Sequence, residues 1–331
     1  MSPKPDSTLY GSSDGSVAGS HAETGGPRFL VAPATSTEQN LARLWLIPVA
    51  CWRVDDVRFA FSSAFVTPDI APDLQLLVRL RESHQDASAQ YPPLSVFGHA
   101  DPVGSDDYNK ALSGRRAMAV YALLIANSEP GKAAAIWQQI ASTESWGNPQ
   151  RQAMQTTTGL PDGTAVPELI HAYVQKLCPS ELALTPQDFL AQGADAKSKG
   201  DVQGCSSFNP LLVFSQDDAD RYAQAQQDGD QPTLDERNSA NASNRRVTVL
   251  LFRPGSVVLP GKWPCPRTSE GIAACHKRFW SDGERRRGTH LPAERRYEKS
   301  KDTFACRFYD RIFANSPCEK HIMMDDYPFS T

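Results

Sequence analysis

The pattern of apolar and polar positions divides the chain into regions of very different character. Residues 1–28 hold six Ser, five Gly and three Pro, with almost nothing that could pack, and read as a flexible polar tail. Order is expected to begin near Phe29 to Val31, or at the apolar run from Leu44 to Ala50. Val57 to Phe65 (VRFAFSSAF) alternates well enough to predict a strand ending in a Ser-containing turn. Thr67-Pro68-Asp69 signals a helix start, and Leu74, Leu77, Val78 and Arg81 follow at helical spacing. Leu94 to Phe97 predicts a second short strand closed by Gly98. The next helix runs from about Asp106 to Ala126, with Leu112, Val120, Leu123 and Leu124 among its apolar positions.

Periodicity weakens between Asn127 and Arg237. Helices are predicted at Lys132–Ile140, Pro167–Leu177, Pro186–Gln192 and Asp217–Gln227, separated by Ser, Thr, Gly and Pro clusters that predict long loops. Thr185 is a suitable N-cap for the third of these, and Gly193 a suitable stop. Arg245 to Phe252 (RRVTVLLF) is the clearest strand, ended by Pro254-Gly255. No internal repeat is present.

Composition bounds the class. The chain has 331 residues, 40% of them hydrophobic and 22% charged, which describes a soluble globular protein of about two units. Its longest apolar run, Leu44 to Trp52, is less than half of the roughly 20 residues a membrane helix needs. Met1 to Arg28 lacks a basic-then-apolar pattern, so no secretory leader is visible. The net charge of −4 conceals an asymmetry. Residues 261–331 carry 14 Lys+Arg against 10 Asp+Glu, a net of +4, so residues 1–260 carry −8. A balance of +4 is too small by itself to indicate nucleic-acid binding.

Candidate chemistry concentrates in Gly98-His-Ala-Asp-Pro-Val-Gly-Ser-Asp-Asp-Tyr-Asn-Lys-Ala-Leu-Ser-Gly-Arg-Arg-Ala. A strand ends at Gly98, Asp101 sits in the loop beyond it, and the helix places Asn109, Leu112 and Arg116 on one face. If that face turns towards the loop, a carboxylate and a guanidinium frame one site complementary to a zwitterion. Asp101 would hold an ammonium, Arg116 a carboxylate through two parallel bonds, and Asn109 would orient the ligand. Taken alone, Asp101 and Arg116 read first as an exposed ion pair, and it is the surrounding motif that turns the reading towards a ligand site. His99 reads as a structural residue holding the loop through a backbone hydrogen bond, and Tyr108 and Val120 read as core. Arg245 and Arg246 are consecutive on a strand, so one is expected to face the site and the other solvent.

Four blocks of the sequence occur together: Phe59-Ala-Phe-Ser-Ser63; Gly98-His-Ala-Asp101 with Gly104; Asn109 through Leu112-Ser113 to Arg116-Ala117; and Asn244-Arg-Arg-Val247. In this order they resemble the OmpA-like peptidoglycan-binding domain. The resemblance implies an α+β fold, a two-layer βαβαββ sandwich with helices on one face of a mixed sheet. It also implies non-covalent binding of the diaminopimelate in Gram-negative cell-wall peptide stems. Asp101 and Arg116 would hold the amino-acid end of that residue, Asn109 and Leu112 would line the site, and Asn244 with Arg245 would approach from the last strand. The chain departs from the family pattern at Ala100, where Thr is usual, and in the length between the second helix and Asn244. The family's third strand is matched only by Gly204 to Pro210, with Leu211 to Phe214 after it. The expected organisation is therefore a tail at 1–28 and an OmpA-like domain at 29–253, with its core in 45–126 and 200–253. A mostly helical or irregular insertion begins at about 127, and a small basic, Cys-containing extension occupies 254–331.

The extension holds Cys265, Cys275, Cys306 and Cys318, spaced C-x9-C-x30-C-x11-C. Two disulfides, a zinc site or thiols are all compatible with that spacing; zinc would more typically use close C-x2–4-C pairs. No other cofactor is indicated. The run His276 to Lys301 interleaves Phe279, Trp280 and Tyr297 with nine Lys+Arg, offset by four acidic residues. It reads as a salt-bridged appendage, with anionic wall polymer or a protein partner as the functional alternative, and not as a nucleic-acid surface. The chain shows no nucleophile elbow and no H-E-x-x-H, and Glu144, His171 and Glu181 are scattered acid/base candidates without a constellation, so the expectation is a non-catalytic binder. The alternative is a wall-targeted effector or enzyme whose activity lies in the insertion or the extension. The resemblance implies a wall-facing, periplasmic location and a partner among envelope or contractile (type VI-like) secretion proteins, by a route the missing leader leaves open.

Overall fold

The computed structural model of the chain describes residues 30–31, 41–42, 46, 48–193, 200–212, 214, 216–264, 271–276, 279–281, 303–306, 309 and 312. The expected tail at 1–28, most of the basic run at 276–301, and the side chains of Cys265, Cys306 and Cys318 lie outside the described residues. In chain order the main elements are β1 (Pro48–Asp55), α1 (Ala71–Glu82), β2 (Leu94–His99) and α2 (Asp106–Leu124). Three further helices follow, α3 (Pro130–Glu144), α4 (Asn148–Thr158) and α5 (Val166–Leu177). The chain then forms β3 (Val202–Gly204), α6 (Gln216–Asp228), α7 (Gln231–Ala240) and β4 (Arg246–Phe252). The sheet order is β1-β4-β2-β3, with β4 antiparallel to both β1 and β2, and β2 parallel to β3. This is the expected α+β class with a mixed four-stranded sheet. Leu30–Val31 and Leu41–Ala42 form a separate two-stranded pair, as do Phe279–Ser281 and Thr303–Cys306.

Several elements differ from the sequence expectation. The first strand is Pro48–Asp55, where inward and outward positions alternate in burial, and not Val57–Phe65. Residues 56–58 make a 3-10 turn, and a tight loop closed by the Phe59–Val66 bridge follows. Phe59 and Phe65 are buried from this loop while Phe61 is 94% exposed, and turn geometry thus imitates a strand's alternation. The third strand is Val202–Gly204 and overlaps the Gly204–Pro210 motif only at Gly204. Residues 205–210 leave the sheet, tied back by Ser206 N–H to Ser113 Oγ and Ser206 Oγ to the Asp106 carbonyl. The helix predicted at Pro186–Gln192 is only one 3-10 turn, although Thr185 and Asp188 do form its capping box. Beyond it Leu190 N–H bonds the Leu94 carbonyl, which pulls the segment out along β2. The long loops expected within 127–237 contain α4 and α7. Each buries one apolar side chain, Met154 and Leu234 respectively, too few to leave a helical period in the sequence.

The sheet is covered on both sides. One core joins Val54, Leu94, Val96, Val247 and Val249 to α1, α2 and the inner faces of α3 and α5. The other face of the sheet, with Phe97, Leu250 and Phe252, is capped by Leu46, Trp263, Tyr309 and Ile312. β4 is buried at every position, which accounts for its unbroken apolar run. Cys51 on β1 is disulfide-bonded, whereas Cys178 is a buried thiol whose pKa is pushed up to about 12 by burial.

Helix α2 approaches the sheet at glycines. A Cβ on Gly98 would stand 2.0 Å from the Ser113 carbonyl oxygen, and one on Gly204 would stand 2.4 Å from the Lys110 carbonyl oxygen. Neither space admits a methyl group without moving helix backbone. Gly204→Val is expected to destabilise the fold by about 3 kcal/mol or more, read as a shift of the urea midpoint.

Near β3, Asp201 accepts hydrogen bonds from Ser95 Oγ and from the N–H groups of Ala191 and Gly193. Burial dominates those bonds and pushes its pKa from 3.8 to about 6. A raised carboxyl favours folding in its protonated form. Its contribution is full below pH 3.8 and is lost as pH rises through about 6. The stability of the wild type relative to Asp201→Asn should therefore fall between pH 4 and 7, by at most ~3 kcal/mol, in urea titrations at each pH.

Candidate functional site

The site lies where the loop after β1, the loop after β2, α2 and the start of β4 meet. Ser105 caps α2, its Oγ accepting from Tyr108 N–H, and Asp106 and Asp107 occupy the first turn. From this helix Arg116 reaches under the β1 loop. Its Nε donates to the Ser63 carbonyl at 2.9 Å, its Nη1 to Asp56 Oδ1 at 2.8 Å, and its guanidinium lies 4.7 Å from the centre of the Phe59 ring. From β4, Arg245 donates Nε to Asp56 Oδ2 at 2.8 Å and Nη1 to Asp101 Oδ2 at 2.6 Å, with Nη2 on the Asn238 carbonyl. The remaining Asp101 oxygen accepts from Val103 N–H at 2.8 Å. The four charges thus form one alternating chain, Arg116–Asp56–Arg245–Asp101.

Desolvation lowers the pKa of Arg116, against the pull of Asp56, and neighbouring Arg245 lowers it further. Burial acts in the same direction on Arg245, but its hydrogen bonds to Asp101 and Asp56 outweigh it and hold the pKa above the ordinary value. Both guanidiniums stay charged.

The predicted residues fall into two groups. Asp101, Arg116 and Arg245 come together, not as an Asp101–Arg116 ion pair but through Asp56. Asn109, Leu112 and Asn244 are buried. Asn109 Nδ2 donates to the carbonyls of Asp101 and Val103, both at 3.0 Å, and so shapes the loop that presents Asp101. Asn244 Oδ1 accepts from Leu211 and Leu212 N–H, and its Nδ2 donates to the Leu212 carbonyl and Asn241 Oδ1. Its side chain fixes the chain after β3.

Three other residues depart from expectation or confirm it. Arg246 is buried and not solvent-facing, donating to the carbonyls of Asn244 and Asn209. Tyr108 is exposed and not core, its hydroxyl 2.7 Å from Ser62 Oγ. His99 does hold a backbone carbonyl, that of Phe208, through Nδ1, and burial followed by Arg246 keeps it neutral. Of the C-terminal cysteines only Cys275 has a described side chain, and it is half-buried. Among the described residues no group of three or more His, Cys, Asp or Glu is arranged to hold a metal.

Sequence reasoning missed Asp56, and read Glu144 only as a scattered acid/base candidate. Asp56 was hidden by reading Val57–Phe65 as a strand. Glu144, at the end of α3, accepts from Ser63 Oγ, Ala64 N–H, Arg115 Nε and Trp146 Nε1. Burial would raise its pKa, but these donors outweigh that and hold it below the ordinary Glu value. Its only sequence signal is its place beside a helix-ending Ser145-Trp146. Glu144 fixes Ser63, whose carbonyl in turn receives Arg116.

Fold and site together define an α+β domain with a mixed four-stranded sheet and, at one end of it, a partly buried network of alternating charges. Residues 58–160 match the model of the OmpA family, and the chain accordingly carries an OmpA-like domain. The match takes in Asp101, Asn109, Leu112 and Arg116, whereas Asp56, Asn244 and Arg245 lie beyond it. Domains of this family generally bind peptidoglycan, are typically non-catalytic and belong to the cell envelope. A comparison with curated proteins found no match. No helix among the described residues is long and apolar enough to cross a membrane.

Glu144→Gln removes the negative charge that collects four donors. It is expected to lower stability by about 2 kcal/mol in urea titrations.

Proposed function

We propose that this chain is a non-catalytic peptidoglycan-binding protein that recognises the diaminopimelate of the peptide stem. In this role it anchors an envelope or contractile-secretion assembly to the wall from the periplasmic side. The observation that carries the reading is the alternating Arg116–Asp56–Arg245–Asp101 chain. Its two ends offer what a zwitterion needs: a carboxylate for the ammonium at Asp101 and a guanidinium for the carboxylate at Arg116. The members are already paired with one another, so a ligand that brings both charges exchanges partners without stranding any group in the recess. The family match over 58–160 supports the polymer, and the charges at the site support the amino-acid end of its stem.

The test is retention of the full chain on purified Gram-negative sacculi. Asp101→Ala and Arg116→Ala are each expected to abolish pull-down while the far-UV spectrum stays folded. Retention of both at wild-type levels overturns the assignment. The non-catalytic part is checked separately by incubating sacculi with the protein, which should release no soluble muropeptides.

A further inference from the structure

Helices α3, α4 and α5 form a cleft that the charged network does not use. It encloses about 470 Å³, within the usual range of small-molecule sites. Its apolar side is built from Trp146, Met154, Val166 and Ile170, and its polar side includes Ser142 and Arg151. No Asp or Glu lines it. Val166 is exposed, and Ser142 lies on the exposed side of α3.

Arg151 is the informative residue. Its Nη2 donates to the Thr164 carbonyl at 2.9 Å, which ties the loop between α4 and α5 to the cleft. Arg151 lines the cleft, and among the described residues no carboxylate forms an ion pair with it. A guanidinium in the wall of a cleft that holds no carboxylate is matched by an anion. The opposing wall is apolar and partly aromatic. A ligand that satisfies both sides carries one carboxylate on a short apolar body.

We propose that the cleft between α3, α4 and α5 is a second ligand site that takes a small monocarboxylate with an apolar body. Two sources share this chemistry: a free organic acid, and the C-terminal carboxylate of a short apolar peptide. A hydrogen-bond path joins the cleft to the charged network: Trp146 lines the cleft and donates Nε1–H to Glu144, and another of Glu144's donors, Ser63, offers its carbonyl to Arg116. The proposal stands without the wall-binding reading, because its residues and its probes are different.

The test titrates the full chain with hexanoate, N-acetyl-leucyl-alanine, hexanol and hexylamine, following heat and tryptophan fluorescence. One or both carboxylates should bind saturably, and hexanol and hexylamine at least about tenfold more weakly. Binding of hexanoate alone assigns the free acid; binding of the dipeptide alone assigns the chain terminus. Arg151→Gln should weaken the bound probe about tenfold or more, Arg151→Lys less, and Ser142→Trp should block it by filling the mouth from an exposed position. All three variants should keep wild-type retention on sacculi if wild type is retained. No saturable binding of either carboxylate, equal binding to Arg151→Gln, or preference for hexylamine overturns the proposal.

Discussion

Helix α2 meets the sheet backbone to backbone at two points, and the positions of all the charged groups follow from that contact. Because Gly98 and Gly204 carry no side chain, the helix sinks until Ser113 and Lys110 stand against the strands. At that depth Asn109 reaches the carbonyls of the loop after β2, and Arg116, two turns on, reaches the loop after β1. A helix lifted by the width of a methyl group would miss both. The sheet register does the rest, since β4 pairs His99 with Arg246 and so leaves Arg245 at the sheet end, beside Asp101.

Helices α3 and α5 brace the site and are not merely attached beside it. Phe65 from the β1 loop stacks on Tyr173 of α5 with ring centres 5.5 Å apart, and meets Trp146 edge-on at 5.1 Å. Trp137 of α3 packs on Tyr173 and donates its Nε1–H to the Ala119 carbonyl of α2. Tyr173 in turn donates its hydroxyl to the Val66 carbonyl. These aromatic rings pin the C-terminal end of the loop that carries Ser63, at Phe65 and Val66, and Glu144 fixes Ser63 and Ala64 before it. Helices α3 and α5 therefore hold the Arg116 contact in place, which lowers the entropy that a ligand would otherwise have to remove.

The sequence reading and the structure agree where one residue pattern has one physical cause. RVTVLLF is buried on both faces and cannot be anything but a central strand, and the α1 and α2 periods match their buried stripes. Asp101 and Arg116 were legible through motif blocks and Arg245 through its neighbour Asn244. Agreement failed where two structures share a pattern. A buried turn at 59–66 alternates like a strand, and polar α4 and α7, with one buried apolar side chain each, are indistinguishable from loops. Asp56 was invisible for another reason. Its role depends on lying between two guanidiniums that are 60 and 189 residues away in the chain, and no local spacing encodes that.

Depth within the network is what constrains the ligand on the wall-binding reading. The side chain of Arg116 is only 3% exposed, that of Asp101 13%, and those of Arg245 and Asp56 19% and 24%. A ligand arriving from solvent meets Asp56 and Arg245 first, in the middle of the chain, and the two end groups behind them. A lone ammonium that captured Asp101 would leave Arg245 short of one partner, and a lone carboxylate at Arg116 would displace Asp56 from it. Each would add a buried charge without its counterpart, at a cost of several kcal/mol that a single new ion pair does not offset. A zwitterion adds one charge of each sign, and the displaced Asp56 and Arg245 can still pair with one another. Charge balance within the network thus selects for amino-acid-like groups over simple acids or amines, the opposite of the preference proposed for Arg151 in the cleft between α3, α4 and α5.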